Sequence, residues 1–161
     1  MLDMAKVASV ATTNPGDVKS YLGVNMIGKP GLPKILIPTT AGTGSEVTNI
    51  AVVSLAEEEL KSGIVSPYAL AEVAIVDPSM STTMPPITTA TTGLDALSHA
   101  VEACMSVLAS PLADALALEA IKLIRSSLPI AYAQPKNMKA RHEMALASQF
   151  LLNPRRPKQT S

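Results

Sequence analysis

Two short runs constrain this chain more than anything else in it. Lys34-Ile35-Leu36-Ile37-Pro38 and Glu72-Val73-Ala74-Ile75-Val76-Asp77-Pro78 are continuously apolar at their centres instead of alternating, and a proline closes each. Such runs are expected to form strands buried on both faces, the condition of interior strands in a parallel sheet covered by helices. Val47 to Leu55, rich in β-branched residues, and the weaker Gly63-Ile64-Val65 add two strand candidates. Ahead of them, Met4, Val7, Ala8 and Ala11 recur at helical spacing until Asn14-Pro15-Gly16-Asp17 stops the pattern, and the Gly- and Pro-rich Met26 to Pro33 reads as loop.

Beyond Pro86 the β-branched runs give way to Ala, Leu and Met at helical spacing, so a boundary is expected between residues 78 and 86. Thr88 to Met105 is one helical pattern despite Gly93. Ser110-Pro111 supplies an N-cap and a proline at the first helical position, and Leu112 to Leu128 follows until Pro129. Lys136 to Ser148 is the last helical candidate. Residues 149–161 read as a divergent, disordered tail with basic residues and two prolines. The fold class is therefore α/β, with a strand-containing part over 1–80 and a helical part over 81–148.

The charge balance narrows the function. With 13 basic and 13 acidic side chains the formal charge is zero, so no global field favours nucleic acid or an anionic membrane. Aromatic residues make up 2%, which argues against base-stacking platforms and leaves Ala, Val, Ile, Leu and the eight Met to pack the core. The single cysteine, Cys104, excludes an intramolecular disulfide and a multi-cysteine metal cluster; its apolar helical surroundings suit packing, and such usage suits a reducing compartment. No basic segment precedes an apolar run at the start and no window approaches about 18 uninterrupted apolar residues, so the chain is expected to be soluble, cytoplasmic and free of membrane partners.

Two constellations can carry chemistry. Pro38-Thr39-Thr40-Ala41-Gly42-Thr43-Gly44-Ser45-Glu46 follows the first buried run directly. Glycines that leave backbone N–H groups uncovered, together with hydroxyl donors at the carboxyl end of a strand, suit a pyrophosphate; a plain Gly/Thr turn has the same composition. The second is Asp95-Ala96-Leu97-Ser98-His99, where i, i+4 spacing places a carboxylate and an imidazole on one helical face. Together they could hold one divalent ion, with donor chemistry suited to Fe(II) or Zn(II), or they could form an Asp–His hydrogen bond or a solvated pair.

The order and spacing of Leu36 to Thr48, Asp77-Pro78, Met84-Pro85-Pro86 and Thr92-Gly93-Leu94-Asp95-Ala96-Leu97-Ser98-His99-Ala100-Val101-Glu102-Ala103 strongly resemble the iron-containing (group III) alcohol dehydrogenases. The resemblance covers roughly residues 3 to 148. It implies part of a parallel-sheet NAD(P)-binding domain over 1–80, followed by the start of an all-helical metal-binding domain over 81–148. It places Thr39, Thr40 and Thr43 along the phosphates and nicotinamide of NAD or NADP, and Lys61 at the nicotinamide-side ribose. Asp95 and His99 match the first two metal ligands, and no catalytic residue beyond the metal site is implied. Asp3-Met4-Ala5-Lys6 looks like the end of the family's GGGSxxDxAK motif, which puts Asp3 on the cofactor side. Ile50 and Val52 would face the substrate pocket, the substrate being a small alcohol or aldehyde.

The glycines expected before Asp3 and two further histidine ligands are absent from this sequence; His142, in a charged stretch, is expected to face solvent. The chain is therefore read as an internal fragment of such an enzyme. The alternatives are a non-catalytic remnant or a relative of the zinc-dependent glycerol dehydrogenases or dehydroquinate synthases. Apolar faces left uncovered by missing parts would favour a homo-oligomer.

Overall fold

The computed structural model describes residues 1–55, 60–107 and 110–150. Residues 151–161 of the sequence-assigned tail lie outside them. The chain divides into two compact units, Met1–Ile37 with Ser45–Ile75, and Pro38–Gly44 with the chain from Val76 onward.

The first unit holds helix α1 (Leu2–Ala11) and strands β1 (Gly23–Val24), β2 (Ile35–Leu36), β3 (Ile50–Leu55), β4 (Leu60–Val65) and β5 (Val73–Ala74). One sheet has the order β1-β4-β3, and β2 pairs with β5 in a second. The β1–β4 and β2–β5 pairings are parallel, whereas β3 and β4 run antiparallel from Ile50 opposite Val65 to Leu55 opposite Leu60. The antiparallel pairing follows from chain economy, since consecutive strands joined by a short connection pair head to tail without a crossover. Alternation on β3 buries Ala51 and Val53, which pack with Val7 and Val10 of α1 and with Tyr21, Ile27 and Ile64.

Glycine at position 31 lets the loop before β2 lie directly on α1: a Cβ there would sit 2.5 Å from the carbonyl carbon and oxygen of Ser9. That approach allows Leu32 N to donate to Ser9 O at 3.2 Å, while Ser9 Oγ donates to Leu32 O at 2.5 Å.

The structure corrects the expectation that the 34–38 and 72–78 runs are buried on both faces. Leu36 is buried, but Ile35 is 62% and Ile37 44% exposed, and Val73 and Ile75 across the pair are exposed as well. The pair has only two strands, and among the described residues nothing covers its second face. The β-branched run 47–55 also begins later as strand than its composition suggests, because Ser45–Val47 forms a 3₁₀ turn.

The second unit contains helices α2 (Pro86–Met105), α3 (Pro111–Ala133) and α4 (Met138–Phe150). Its core is built from small side chains, with Ala41, Ala96, Ala100, Ala120, Ala131, Ala140 and Ala147 around Ile124 and Met144. Small residues allow close helix contact, and Gly93 is the extreme case: a Cβ there would lie 2.3 Å from Leu128 Cδ1, so α2 meets α3 where a glycine stands in mid-helix. Ser110 caps α3 as its position suggests, Oγ accepting from Ala113 N at 3.2 Å.

Pro129 does not end α3, which continues to Ala133. The fully buried Ala131 and the Gln134 N to Ile130 O bond at 2.8 Å hold the last turn in place beyond the proline. Similarly, Gln149 and Phe150 continue α4, two residues past the expected helix end at Ser148, and Phe150 packs on the helical core. No described helix is long and apolar enough to cross a membrane.

Candidate functional site

Within the helical unit, the Thr/Gly loop alternates by burial. Ala41, Gly42 and Gly44 point into the protein, and Thr39, Thr40 and Thr43 are exposed. Ala41 belongs to the helical core, and Gly42 rests on α2: a Cβ at 42 would come within 3.0 Å of Thr92 Cβ and Thr92 O. Gly44 takes a φ of 60°, a left-handed conformation that glycine adopts without the Cβ penalty. The threonine hydroxyls are thus displayed by a loop anchored through its small residues to the first half of α2.

One turn beyond Thr92 lies Asp95, and one further turn lies His99. Asp95 Oδ1 and His99 Nε2 are 3.9 Å apart, with side chains 45% and 42% exposed respectively. Helical geometry brings them together as the spacing requires. An aspartate oxygen and an imidazole nitrogen so placed fit two positions around one Fe(II) or Zn(II) ion, and half-exposure leaves room for other ligands. No group of three or more His, Cys, Asp or Glu side chains able to hold an ion occurs among the described residues. His142 is exposed on α4 and stands apart from any such group.

The strand unit holds the other sequence candidates. Asp3 uses both carboxylate oxygens on its own chain: Oδ1 accepts from Ser45 Oγ at 2.5 Å and Oδ2 from Val52 N at 3.0 Å. Ile50 is half-buried and Val52 exposed on β3, while Lys61 is exposed on β4 opposite Ser54.

Beside Asp3, the fully buried Lys6 donates to Thr48 O at 3.0 Å, Thr48 Oγ1 at 3.2 Å and Ile50 O at 2.7 Å. Burial lowers its ammonium pKa to about 8, opposed by the charges of Asp3 and Glu46 and assisted by Lys34. Glu46 is buried too, and burial raises its carboxyl above the ordinary range.

Besides Lys34 in the first apolar run, three residues that chemistry-bearing motifs did not single out prove to be buried and charged. Lys6 and Glu46 were visible only as motif members, since their burial depends on partners about forty positions away. The third is Arg141, inside the charged stretch 139–143. Its side chain is buried, Nε donating to Pro135 O at 2.9 Å and Nη1 to Thr89 Oγ1 at 3.0 Å, and burial lowers its pKa. Its one sequence signal is its place beside Ala140, Met144 and Ala145, the apolar face of α4.

Comparison with known proteins decides what these motifs belong to. Residues 1–78 match the family model of iron-containing alcohol dehydrogenase, and residues 89–151 match the C-terminal model of the Fe-containing alcohol dehydrogenase family. The chain belongs to the iron-containing alcohol dehydrogenase family. It is 53% identical over 150 residues to long-chain-alcohol dehydrogenase 1 of Geobacillus thermodenitrificans, covering 91% of this chain and 38% of that relative. A crystal structure of 1,3-propanediol oxidoreductase superposes with a TM-score of 0.89 at 42% identity, over 93% of this chain and 39% of the other. The sulfoacetaldehyde reductase of Bifidobacterium kashiwanohense in complex with NAD+ gives a TM-score of 0.85 at 40% identity, over 93% and 40%. The chain thus spans about two fifths of the length of the family members it matches. Their likeness extends through the α/β part and the helices after it, and the α/β class with parallel pairing in its N-terminal part holds.

Proposed function

We propose that the chain carries part of the active site of a metal-dependent, NAD(P)-linked alcohol dehydrogenase or aldehyde reductase. The observation that carries this is the seating of Gly42 on Thr92, which sets the Thr/Gly loop one turn from Asp95 and two from His99 on the same helix. Hydride transfer needs a nicotinamide and the reacting carbon of a small alcohol or aldehyde side by side, and positioning of this kind contributes much of the rate. Thr39, Thr40 and Thr43 would donate to the phosphates and approach the nicotinamide of NAD or NADP, with Lys61 at the ribose. Asp3 serves the cofactor side by holding Ser45, the residue after Gly44. Ile50 and Val52 would shape the substrate pocket. In this reading residues 1–80 contribute cofactor binding, and 81–148 the metal side.

Asp95 and His99 would hold Fe(II), or Zn(II), which supplies Lewis acidity toward the substrate oxygen when bound. The chain's own contribution there is to fix one carboxylate and one imidazole on adjacent turns. The reaction moves a hydride from the alcohol carbon to the nicotinamide and releases the hydroxyl proton. The reading takes a small molecule as substrate, without nucleic acid or membrane as partner, and a cytoplasmic homo-oligomer as the assembly, for which the exposed apolar side chains of β2 and β5 offer a surface.

Calorimetric titration with Zn(II) and Fe(II) tests the assignment. Weak binding is expected in the parent chain and in His142→Ala, and none in Asp95→Ala; binding that survives Asp95→Ala overturns it. A second reading is a non-catalytic remnant in which Asp95 and His99 form a solvated pair, as their half-exposed side chains allow. It expects turnover of short primary alcohols far below the usual range of about 1–10³ per second, and turnover within that range excludes it.

A further inference from the structure

Among the described residues β3 is an edge strand, paired on one side with β4. Asn49 O accepts from Ser66 N at 3.0 Å, and with Ala51 opposite Ile64 this turns the polar groups of residues 49, 51 and 53 toward β4. The alternation directs Thr48 O, Ile50 O and Val52 N to the outer edge, where an unpaired row would ordinarily meet water or another strand. These three groups are the ones taken by the first two turns of α1: Lys6 Nζ donates to Thr48 O and Ile50 O, and Asp3 Oδ2 accepts from Val52 N.

The geometry points to Asp3 and Lys6 as positioning residues that stand in for a neighbouring strand on the outer edge of β3 and thereby fix the backbone from which Ile50 and Val52 project. The pair works because its chemistry matches the edge, an ammonium with three donors against two carbonyls and a hydroxyl, and a carboxylate against an amide. At i, i+3 the two groups lie one turn apart, with Lys6 Nζ 3.9 Å from Asp3 Oδ1. Val7 and Val10 meanwhile pack on the buried face of the sheet. Asp3 therefore acts on the site through the main chain of β3 and through Ser45. For substrate selection, the inference rests on the reading of Ile50 and Val52 as pocket residues.

Amide hydrogen exchange of the full chain, followed by NMR, tests it. In the parent chain the Val52 amide is expected to be protected although it faces the outer edge. Asp3→Ala should speed Val52 exchange about tenfold or more, as loss of a charge-assisted hydrogen bond implies, while Ala51 and Val53 change little. Asp3→Asn should restore protection, because the amide oxygen can still accept from Val52 N and Ser45 Oγ can accept in return. Equal exchange in parent and Asp3→Ala, no rescue by Asp3→Asn, or a uniform rise across Ala51, Val52 and Val53 overturns the inference. Should Asp3→Ala not fold, the parent chain decides: a coupling across the hydrogen bond from Val52 N to the Asp3 carboxyl carbon supports it, and an unprotected, uncoupled Val52 amide refutes it. Titration with 1-propanol and NAD+, read at the Ile50 and Val52 methyl groups, separates the two layers. Methyl groups that do not respond, in a chain whose Val52 protection depends on Asp3, reject the pocket reading and leave the positioning role standing.

Discussion

The two units are held together by different balances of the same means, since the strand unit also has a close glycine approach at Gly31 and the helical unit also buries Arg141. The helical unit relies on small side chains that let backbones approach: Gly42 on Thr92, Gly93 against Leu128, and an alanine-rich core. The strand unit buries charge, with Lys6 and Glu46 inside and Lys34 clamped to Glu72 by Lys34 N donating to Glu72 Oε2 at 2.7 Å and an ion pair at 3.6 Å. Steric complementarity is indifferent to pH, whereas buried ionisable groups make stability depend on it. The difference teaches that neighbouring stretches of one short chain can fail for unrelated reasons.

The sharpest way to break the helical side is Gly93→Val. Its Cβ would meet Leu128 Cδ1 at 2.3 Å and Cγ at 3.2 Å, so overpacking is expected to cost about 3 kcal/mol. Urea unfolding should show the same loss at pH 6 and pH 9.

On the strand side, Lys6→Met leaves Thr48 O and Ile50 O without their buried donor and should cost about 2 kcal/mol near neutral pH. It should also change the pH profile. The folded pKa of Lys6, about 8, lies below its ordinary 10.5, so the unfolded chain binds more protons between those values. The parent's Lys6 contribution to stability therefore rises with pH from about 8 to 10.5, by ~1.4 kcal/mol per unit of displacement at most. Lys6→Met should lack that rise, and a profile unchanged above pH 8 would refute the buried-charge account.

Glu46 gives the smaller, opposite signature. Its carboxyl is raised by burial, so its contribution is fully present below the ordinary glutamate pKa and is lost as pH climbs through the raised value. Glu46→Gln should flatten that decline in a thermal-unfolding series. The smallest effect is expected for His142→Ala, within about 0.5 kcal/mol, since the ring is exposed on α4.

What could be read from the sequence was whatever local geometry fixes. Four helices announced themselves by spacing, and Asp95 and His99 had to share a face once α2 was a helix. Burial was harder, because it depends on distant segments. Ile35 and Ile37 have the composition of interior positions, yet their exposure follows from which strands lie beside β2. The two-residue β1 exists through its partners Ile64 and Val65 and carries no pattern of its own. Arg141 looked like one more surface charge until Thr89, 52 positions earlier, was found to receive it. Pro129 reads as a stop, and burial of Ala131 overrides it.

The glycine contacts also set the order in which this chain can drift. The obstacle to a side chain at 93 is the end of Leu128, so a prior Leu128→Ala opens space and Gly93→Ala becomes tolerable; the two sites can change as a pair, in one order only. The obstacle at 31 is the carbonyl of Ser9, which every amino acid carries. No second substitution relieves that clash, and position 31 is closed to sequence change unless α1 itself is moved.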